Sequence, residues 1–168
     1  MTISMYQASV PVFLRALDNL SNVLKVGAAH AEARKIDPLV LTGARLYPDM
    51  FPFARQVQIA CDMVKGGGAR LAGIDPPPKT DTEKTFAELI ERIEWTVAFL
   101  SSLSAGQIDG CEDRPIVMKT PFGELNFTGQ SYLTGFVLPN LYFHSATAYN
   151  ILRHSGVELS KTHFLGKP

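Results

Sequence analysis

The chain has 168 residues, of which 46% are hydrophobic and 19% are charged. This length fits one domain, and the low charged fraction favours a substantial core over disorder. Basic and acidic residues number 16 each, so the formal net charge is zero. Because no run of like charges occurs, we expect no nucleic-acid partner. We predict one folded domain spanning residues 1–168.

The cysteines and the N-terminal segment favour a cytoplasmic location. Cys61 and Cys111 lack C-x-x-C spacing, and two cysteines do not make a disulfide framework. We expect a buried thiol at Cys61, among apolar residues, and an exposed one at Cys111, in a polar loop. The segment MTISMYQASVPVF lacks the pattern of a signal peptide. Residues 125–152 carry no charge, but their amides, glycines and proline argue against insertion, so we expect no membrane partner.

The first helix is predicted to begin near Ser4, because Ser4 and Gln7 have the spacing of a capping box. Pro11 either kinks this helix or forces a restart with Ser9 as its cap. The helix ends at Gly27 or continues for two further turns. Its apolar stripe has helical spacing and consists of Val10, Phe13, Leu14, Leu17, Leu20 and Leu24.

A short helix follows, with Asp37 as its cap and Pro38 in its first turn. The second long helix is predicted to have Asp49 as its cap. The three glycines at 66–68 weaken this helix, and a bend or a close approach by another backbone would explain them. They do not have the spacing of a phosphate-binding loop. The apolar face of the helix is predicted to contain Phe53, Val57, Ala60, Cys61 and Val64.

The third long helix is predicted to open with a capping box formed by Thr80 and Glu83 and to run to about Ser102. Its apolar stripe consists of Phe86, Leu89, Ile90, Ile93, Val97, Leu100 and Leu103. Its polar face consists of Glu88, Glu91, Arg92 and Glu94.

Residues 116–118 and 125–127 flank the turn KTPFGE and predict a β-hairpin. Thr128 is the predicted cap of the next helical turn, and Pro139 either kinks or restarts the last helix, which ends before Gly156. We expect the tail to pack through Phe164 and Leu165. The elements together predict an all-α fold: a four-helix bundle with a small β-hairpin between the third and fourth long helices.

The last helix contains two histidines that cannot share a metal ion. His144 and His154 lie about 15 Å apart along the helix axis and about 80° apart around it. The position one turn after His144 is Ala148, so no H-x-x-x-H pair exists. We therefore expect no metal and no cofactor.

His144 has the spacing of an inward-facing residue, together with Leu141, Ala148 and Ile151. Three interpretations remain open for it. It is a core histidine bonded to a neighbouring helix, part of a polar ligand pocket, or a metal ligand.

The second long helix carries a polar row of Arg55, Gln58 and Asp62. The row either faces solvent or forms a cluster that reaches His144 from across the bundle. In the second case, Asp62 and His144 would make an acid–base pair. The aromatic residues of the last helix either pack or offer hydroxyl groups to a pocket. The candidate ligand-pocket residues are therefore His144, Gln58, Asp62, Arg55, Tyr142 and Tyr149.

Four stretches carry a family resemblance: RLYPDMFPFARQVQIACD, FAELIERI, PFGELNFTGQSYL and LPNLYFHSATAYNILRHSG. They resemble the domain-of-unknown-function family numbered 1993, which is similar to the DinB/YfiT-like superfamily of candidate metalloenzymes. The resemblance implies an up-down-down-up four-helix bundle, usually dimeric, so we expect a homodimer.

The superfamily often holds a divalent metal with three histidines, one on helix two and an H-x-x-x-H pair on the last helix. Only His144 matches that set. Ala148 replaces the second histidine, and Gln58 lies near the helix-two position, with Asp62 one turn on.

Three functions therefore stay open. The first is a bundle without the usual metal site that binds a small molecule around His144. The second is a DinB-like metal-dependent enzyme, of the thiol-dependent transferase or isomerase type, with a noncanonical site. The third is a structural or interaction protein without catalysis.

Overall fold

The computed structural model describes residues 2–120 and 123–166. Its longest helices are α1 (Met5–Arg34), α3 (Phe53–Leu71), α4 (Phe86–Ser101) and α7 (Leu138–His154). The shorter elements are α2 (Pro38–Gly43), α5 (Ala105–Ile108), β1 (Pro115–Thr120), β2 (Gly123–Thr128), α6 (Gly129–Tyr132) and α8 (Lys161–Leu165). Helix α3 packs between α7 and α4, and α1 packs along α4. The predicted four-helix bundle with one antiparallel hairpin is confirmed. Among the described helices, none has the length and apolar character needed to cross a membrane.

Helix α1 begins as predicted and is longer than its proline and glycine suggest. The Ser4 Oγ accepts a hydrogen bond from the Gln7 backbone N–H, and the Gln7 side chain caps the Ser4 N–H in return. The helix passes through Pro11 without a restart. Gly27 does not end it but lies against α7, since a Cβ there would lie 2.9 Å from Leu152 Cδ1. The glycine allows α1 and α7 to approach closely, and α1 continues for the two further turns.

The predicted cap of α2 is confirmed, whereas the predicted cap of α3 is wrong. The Asp37 carboxylate accepts a hydrogen bond from the Leu39 N–H at 2.9 Å. Asp49 lies in a turn before α3, whose N-cap is Pro52, and no side chain caps this end. The backbone N–H of Phe53 instead donates to the Ala44 carbonyl at 2.8 Å, so a backbone contact replaces the side-chain cap.

The three glycines lie inside α3, where neighbouring side chains come close to its backbone. A Cβ at Gly67 would lie 2.8 Å from Val137, and one at Gly68 would lie 2.8 Å from Leu100 and Leu103. Side chains, rather than the other backbone that we predicted, therefore make the close approach at these glycines. The predicted apolar face of α3 is buried.

The predicted start of α4 is wrong, because a second T-x-x-E motif further along the chain forms the capping box. Thr85 and Glu88 also have T-x-x-E spacing, and these two residues form the capping box. Glu83 instead pairs with Arg92, which was assigned to the polar face but is only 1% exposed. The carboxylate of Glu83 pairs with the buried guanidinium, so it is not available as a cap.

The hairpin pairs Ile116 with Phe127 and Met118 with Leu125. The predicted turn between the strands includes residues 121–122, which lie outside the described residues. Cys111 is buried rather than exposed. The Cys111 carbonyl lies against Gly129 at the start of α6 and leaves no room there for a Cβ.

The last long helix does not restart at its proline, because Val137 and Leu138 before it both have α-helical φ and ψ. Thr128 caps α6 as predicted, and one π-helical turn, Leu133–Val137, connects α6 to α7. Pro139 is the second residue of α7 and directly follows the π-helical turn. Gly156 follows the helix end with a φ of 88°, as predicted.

Candidate functional site

His144 lies on the face of α7 that packs against α3 and is 9% exposed. Leu141, Ala148 and Ile151 are buried on the same face. The spacing of these four residues therefore placed His144 on the correct side of its helix. Its partner, however, is a residue that was not among the candidates.

The Nδ1 atom of His144 lies 2.7 Å from Oε1 of Gln56. The Nε2 atom of Gln56 donates to the Phe51 carbonyl at 3.1 Å, which fixes the orientation of the amide. Because Oε1 can only accept, Nδ1 of His144 carries the proton. A neutral imidazole in this tautomer leaves Nε2 as an acceptor. Within the described residues, Nε2 has no hydrogen-bond partner, and it is not among the fully buried unpaired atoms.

The protein environment favours the neutral form of this imidazole. Burial lowers the pKa of His144 below its usual value, and the positive charge of Arg55 lowers it further. The imidazole is therefore uncharged at neutral pH. A neutral imidazole with an unprotonated Nε2 can accept a hydrogen bond or take up a proton.

Two exposed aromatic residues contact the histidine and its partner. The Phe143 ring meets His144 edge-on, with ring centroids 5.2 Å apart, and is 59% exposed. Phe51, whose carbonyl holds Gln56, is 55% exposed. The Arg55 guanidinium lies 5.9 Å from the centre of the Phe51 ring. We call these five residues, His144, Gln56, Phe51, Arg55 and Phe143, the His144 patch.

Gln58 and Asp62 belong to a different cluster, which is centred on Arg92. Arg92 Nη2 lies 2.9 Å from Asp62 and 2.8 Å from Asp81, while Nη1 lies 3.0 Å from Glu83. Gln58 Nε2 donates to Glu83 Oε2 at 3.2 Å. We call this set the Arg92 network. It connects α3 and α4 to the loop that joins them.

Two further cations complete the Arg92 network. Lys65 pairs with Asp62 at 2.8 Å, and Arg55 contacts both Asp81 and Gln58. Within residues 2–120 and 123–166, Arg55 is thus the one residue that connects the network with the His144 patch. Among the described residues, neither Asp62 nor Gln58 bonds to His144, so no Asp62–His144 pair forms in this structure. The alternative of a solvent-facing row also differs from the structure, since Gln58 is buried.

The pKa shifts in the Arg92 network indicate a structural role rather than a catalytic one. Burial lowers the pKa of Arg92, but attraction from Asp62 and Glu83 more than offsets it, so the net pKa lies above the usual value. The neighbouring Cys61 thiol is buried, which raises its pKa to about 12. A thiol with this pKa stays protonated at neutral pH and is not a nucleophile.

The tyrosine candidates do not lie together at His144. Tyr142 lines a cavity of about 310 Å³ bounded by α1, α7 and α8. Tyr149 packs against Phe164, with ring centroids 6.2 Å apart. Of the six candidate residues, Arg55 and His144 share the His144 patch, and Arg55, Gln58 and Asp62 share the Arg92 network.

The sequence did contain a signal for Gln56. Phe53, Gln56 and Ala60 follow the same spacing of three and four as the buried face of α3. A polar residue in such a stripe needs a partner inside the protein. The sequence contained no comparable signal for Phe51, because this residue contacts Gln56 through its backbone carbonyl, which every residue has.

The three-histidine metal set of the DinB/YfiT-like superfamily does not fit the residues present. No group of three or more His, Cys, Asp or Glu side chains that could hold a metal exists within residues 2–120 and 123–166. Position 148 carries a methyl group, Gln58 is bonded to Glu83, and Nδ1 of His144 is bonded to Gln56.

The helical bundle with its hairpin is the fold of a DinB-like protein. A crystal structure of a DinB family member protein from Shewanella denitrificans is 39% identical in sequence, with a TM-score of 0.89; the match covers 97% of this chain and 92% of that one. Residues 5–165 match the model of a domain of unknown function, DUF1993. The chain belongs to the DUF1993 family. The comparison with curated proteins gives no match.

Proposed function

We propose that this DUF1993 protein binds a small molecule at the His144 patch, with Nε2 of His144 as a hydrogen-bond acceptor. The observation that carries the proposal is the bond between His144 Nδ1 and Gln56, since it fixes an unprotonated Nε2. Exposed aromatic side chains next to a positioned polar group are typical of binding sites.

The chemistry of the His144 patch indicates the class of ligand. An acceptor at Nε2 requires a hydroxyl or amine donor. The rings of Phe51 and Phe143 favour a flat apolar body, and the positive charge of Arg55 favours an acidic group. An aromatic hydroxy acid combines the three features. Arg55 contributes a long-range attraction here, because its guanidinium already pairs with Asp81.

The test is an NMR titration with 4-hydroxybenzoate, following the backbone amide signals of the protein. We expect saturable shifts at residues 51–56 and 143–144. Benzoate, which lacks the hydroxyl donor, is expected to bind roughly two- to tenfold more weakly, the worth of one hydrogen bond.

A matched pair of variants isolates the acceptor. In His144→Asn the amide nitrogen replaces Nδ1 and keeps the bond to Gln56, but Nε2 is lost. In His144→Gln the amide oxygen reaches the position of Nε2. We expect the asparagine variant to bind 4-hydroxybenzoate and benzoate equally weakly and the glutamine variant to retain part of the preference. Equal affinities in both variants and the wild type, or no saturable binding to the wild type, would contradict the proposal.

The lowered pKa of His144 favours a second candidate, an enzyme in which Nε2 acts as a general base. This candidate predicts that a bound ligand is converted to product at a rate that collapses in His144→Asn while binding persists. A ligand that binds and is recovered unchanged favours a binding protein.

We also propose that two copies associate and that the protein resides in the cytoplasm. The exposed ring of Tyr142, which is not part of the His144 patch, supports an interface between copies, as does the dimeric state common in the superfamily that the sequence resembles. The two free, buried cysteines support a reducing compartment. Sedimentation equilibrium tests the dimer: a single species with the mass of one chain, 18.4 kDa, would contradict it.

A further inference from the structure

A cavity of about 310 Å³ lies on the other side of α7, against α1 and the C-terminal helix α8. Its apolar lining consists of Val12, Ala16, Leu20, Val23, Phe164 and Leu165. Ser145, Tyr142, Asn19 and Arg15 add polar groups. This volume is at the lower end of the ~300–1,000 Å³ typical of small-molecule sites, and such sites combine an apolar lining with a few polar groups.

Ser145 provides a second, independent observation at the same place. Its Oγ is fully buried and has no hydrogen-bond partner within the described residues. Other hydroxyls on α7 and at its end bond to a backbone carbonyl one turn earlier, as Thr147 does to Phe143 and Ser155 to Ile151. A buried hydroxyl without a partner costs about 1–3 kcal/mol. Because Ser145 is among the residues that line the cavity, a ligand bound there can supply the partner that its hydroxyl lacks.

The C-terminal helix closes one side of this cavity. Arg15 Nη2 donates to the Leu165 carbonyl at 3.3 Å, and the Phe164 ring packs against Tyr149. The cavity is therefore bounded by contacts that connect α8 to α1 and α7.

We propose that this cavity, which we call the Ser145 site, binds a small, neutral, mainly apolar ring compound with one hydroxyl or carbonyl group that pairs with Ser145. The Ser145 site is separate from the His144 patch. Consecutive residues on a helix point about 100° apart, so Ser145 and His144 face different sides of α7. The inference does not depend on the proposed function at His144.

The probes are p-cresol and p-xylene, which differ by one hydroxyl in place of a methyl group. We expect saturable NMR shifts in α1, α7 and α8 with p-cresol. In Ser145→Ala, we expect a roughly two- to tenfold loss of affinity for p-cresol and little change for p-xylene. Ala16→Phe fills the cavity and is expected to abolish binding of both.

Three controls keep the result interpretable. Ser102→Ala removes a hydroxyl that bonds to the Phe99 carbonyl on α4, so it should leave p-cresol binding unchanged. Shifts in α1 and α8 report this site separately, because no residue of the His144 patch lies on either helix. Thermal unfolding of Ala16→Phe confirms that the variant is folded; a variant that does not fold is replaced by Val12→Phe, since Val12 also lines the cavity.

The stability of Ser145→Ala without any probe gives a further readout. Removing an unpaired buried hydroxyl should leave the free energy of unfolding unchanged or raise it. No saturable p-cresol binding would overturn the proposal, and a destabilised Ser145→Ala would then show that the hydroxyl pairs with water. Binding that persists in a folded cavity-filling variant would overturn it as well.

Discussion

His144 of α7 and Gln56 of α3 are joined by a 2.7 Å contact between Nδ1 and Oε1. The second atom of the Gln56 amide is held by the Phe51 carbonyl, so the glutamine cannot turn its nitrogen toward the imidazole. One buried amide thereby sets the tautomer of the histidine. The proposed function depends on that tautomer.

The first prediction concerns the pH dependence of stability. Burial and Arg55 hold the pKa of His144 in the folded protein below the 6.5 of an unperturbed histidine. Between the two pKa values the unfolded chain takes up a proton that the folded chain does not. The contribution of His144 to the free energy of unfolding is therefore fully present above pH 6.5 and is lost as the pH falls through the lowered pKa of the folded protein.

The measurement compares the free energy of unfolding of the wild type and His144→Asn by urea denaturation, from about pH 7.5 to about pH 5. We expect the wild type to lose stability relative to the variant as the pH falls, by up to about 1.4 kcal/mol for each unit by which the pKa is lowered. The other three histidines are present in both proteins and cancel. Parallel curves for the two proteins would show that His144 titrates normally.

The second prediction contrasts two arginines that both contact Asp81. Arg92 is 1% exposed and also neutralises Glu83 and Asp62, whereas Arg55 is partly exposed. Removing one partner of a buried ion pair costs about 3–5 kcal/mol, and an exposed pair contributes ~0–1 kcal/mol. We expect Arg92→Met to lower the free energy of unfolding by the larger amount and Arg55→Met by the smaller.

A double variant tests the reason for this difference. In Arg92→Met the buried Glu83 carboxylate loses its countercharge, so adding Glu83→Gln should recover part of the stability. If the two arginine variants cost the same, or if the double variant is no more stable than Arg92→Met, the buried charges are not what makes Arg92 important.

More of the fold than of the candidate site could be predicted from the sequence. Apolar spacing located the long helices, and Ser4, Asp37 and Thr128 cap their helices as predicted. Local rules failed where two positions satisfied the same rule. Thr80 and Thr85 both begin a T-x-x-E motif. Glu83 of the first motif forms an ion pair with Arg92, which leaves the second motif to cap the helix.

The site was harder because its contacts cross between helices. Arg92 follows acidic neighbours on α4 and resembled an exposed residue, yet its partners are at positions 62, 81 and 83. Helical spacing gives the direction in which His144 points but not which of Gln56 and Gln58 it meets. That choice depends on the relative shift of α3 and α7 along their axes, which the sequence does not reveal.

The third prediction concerns metal content. Position 148 is an alanine, and Nδ1 of His144 is bonded to Gln56. Nε2 of His144 is therefore the one imidazole nitrogen of the His144 patch that could bind a metal ion. A single neutral nitrogen is a weak site for a divalent ion. Elemental analysis of protein purified without chelator and without nickel resin should find less than stoichiometric zinc, nickel and iron. One equivalent of metal that disappears in His144→Ala would contradict this prediction.

The most direct test of the central claim is the protonation of His144 in the folded protein. A long-range proton–nitrogen NMR correlation of the imidazole side chains at neutral pH reports the state of each ring nitrogen, and His144→Asn assigns the signals. The account predicts a neutral ring with its proton on Nδ1 and an unprotonated Nε2. A proton on Nε2, in the neutral or the charged ring, would contradict it.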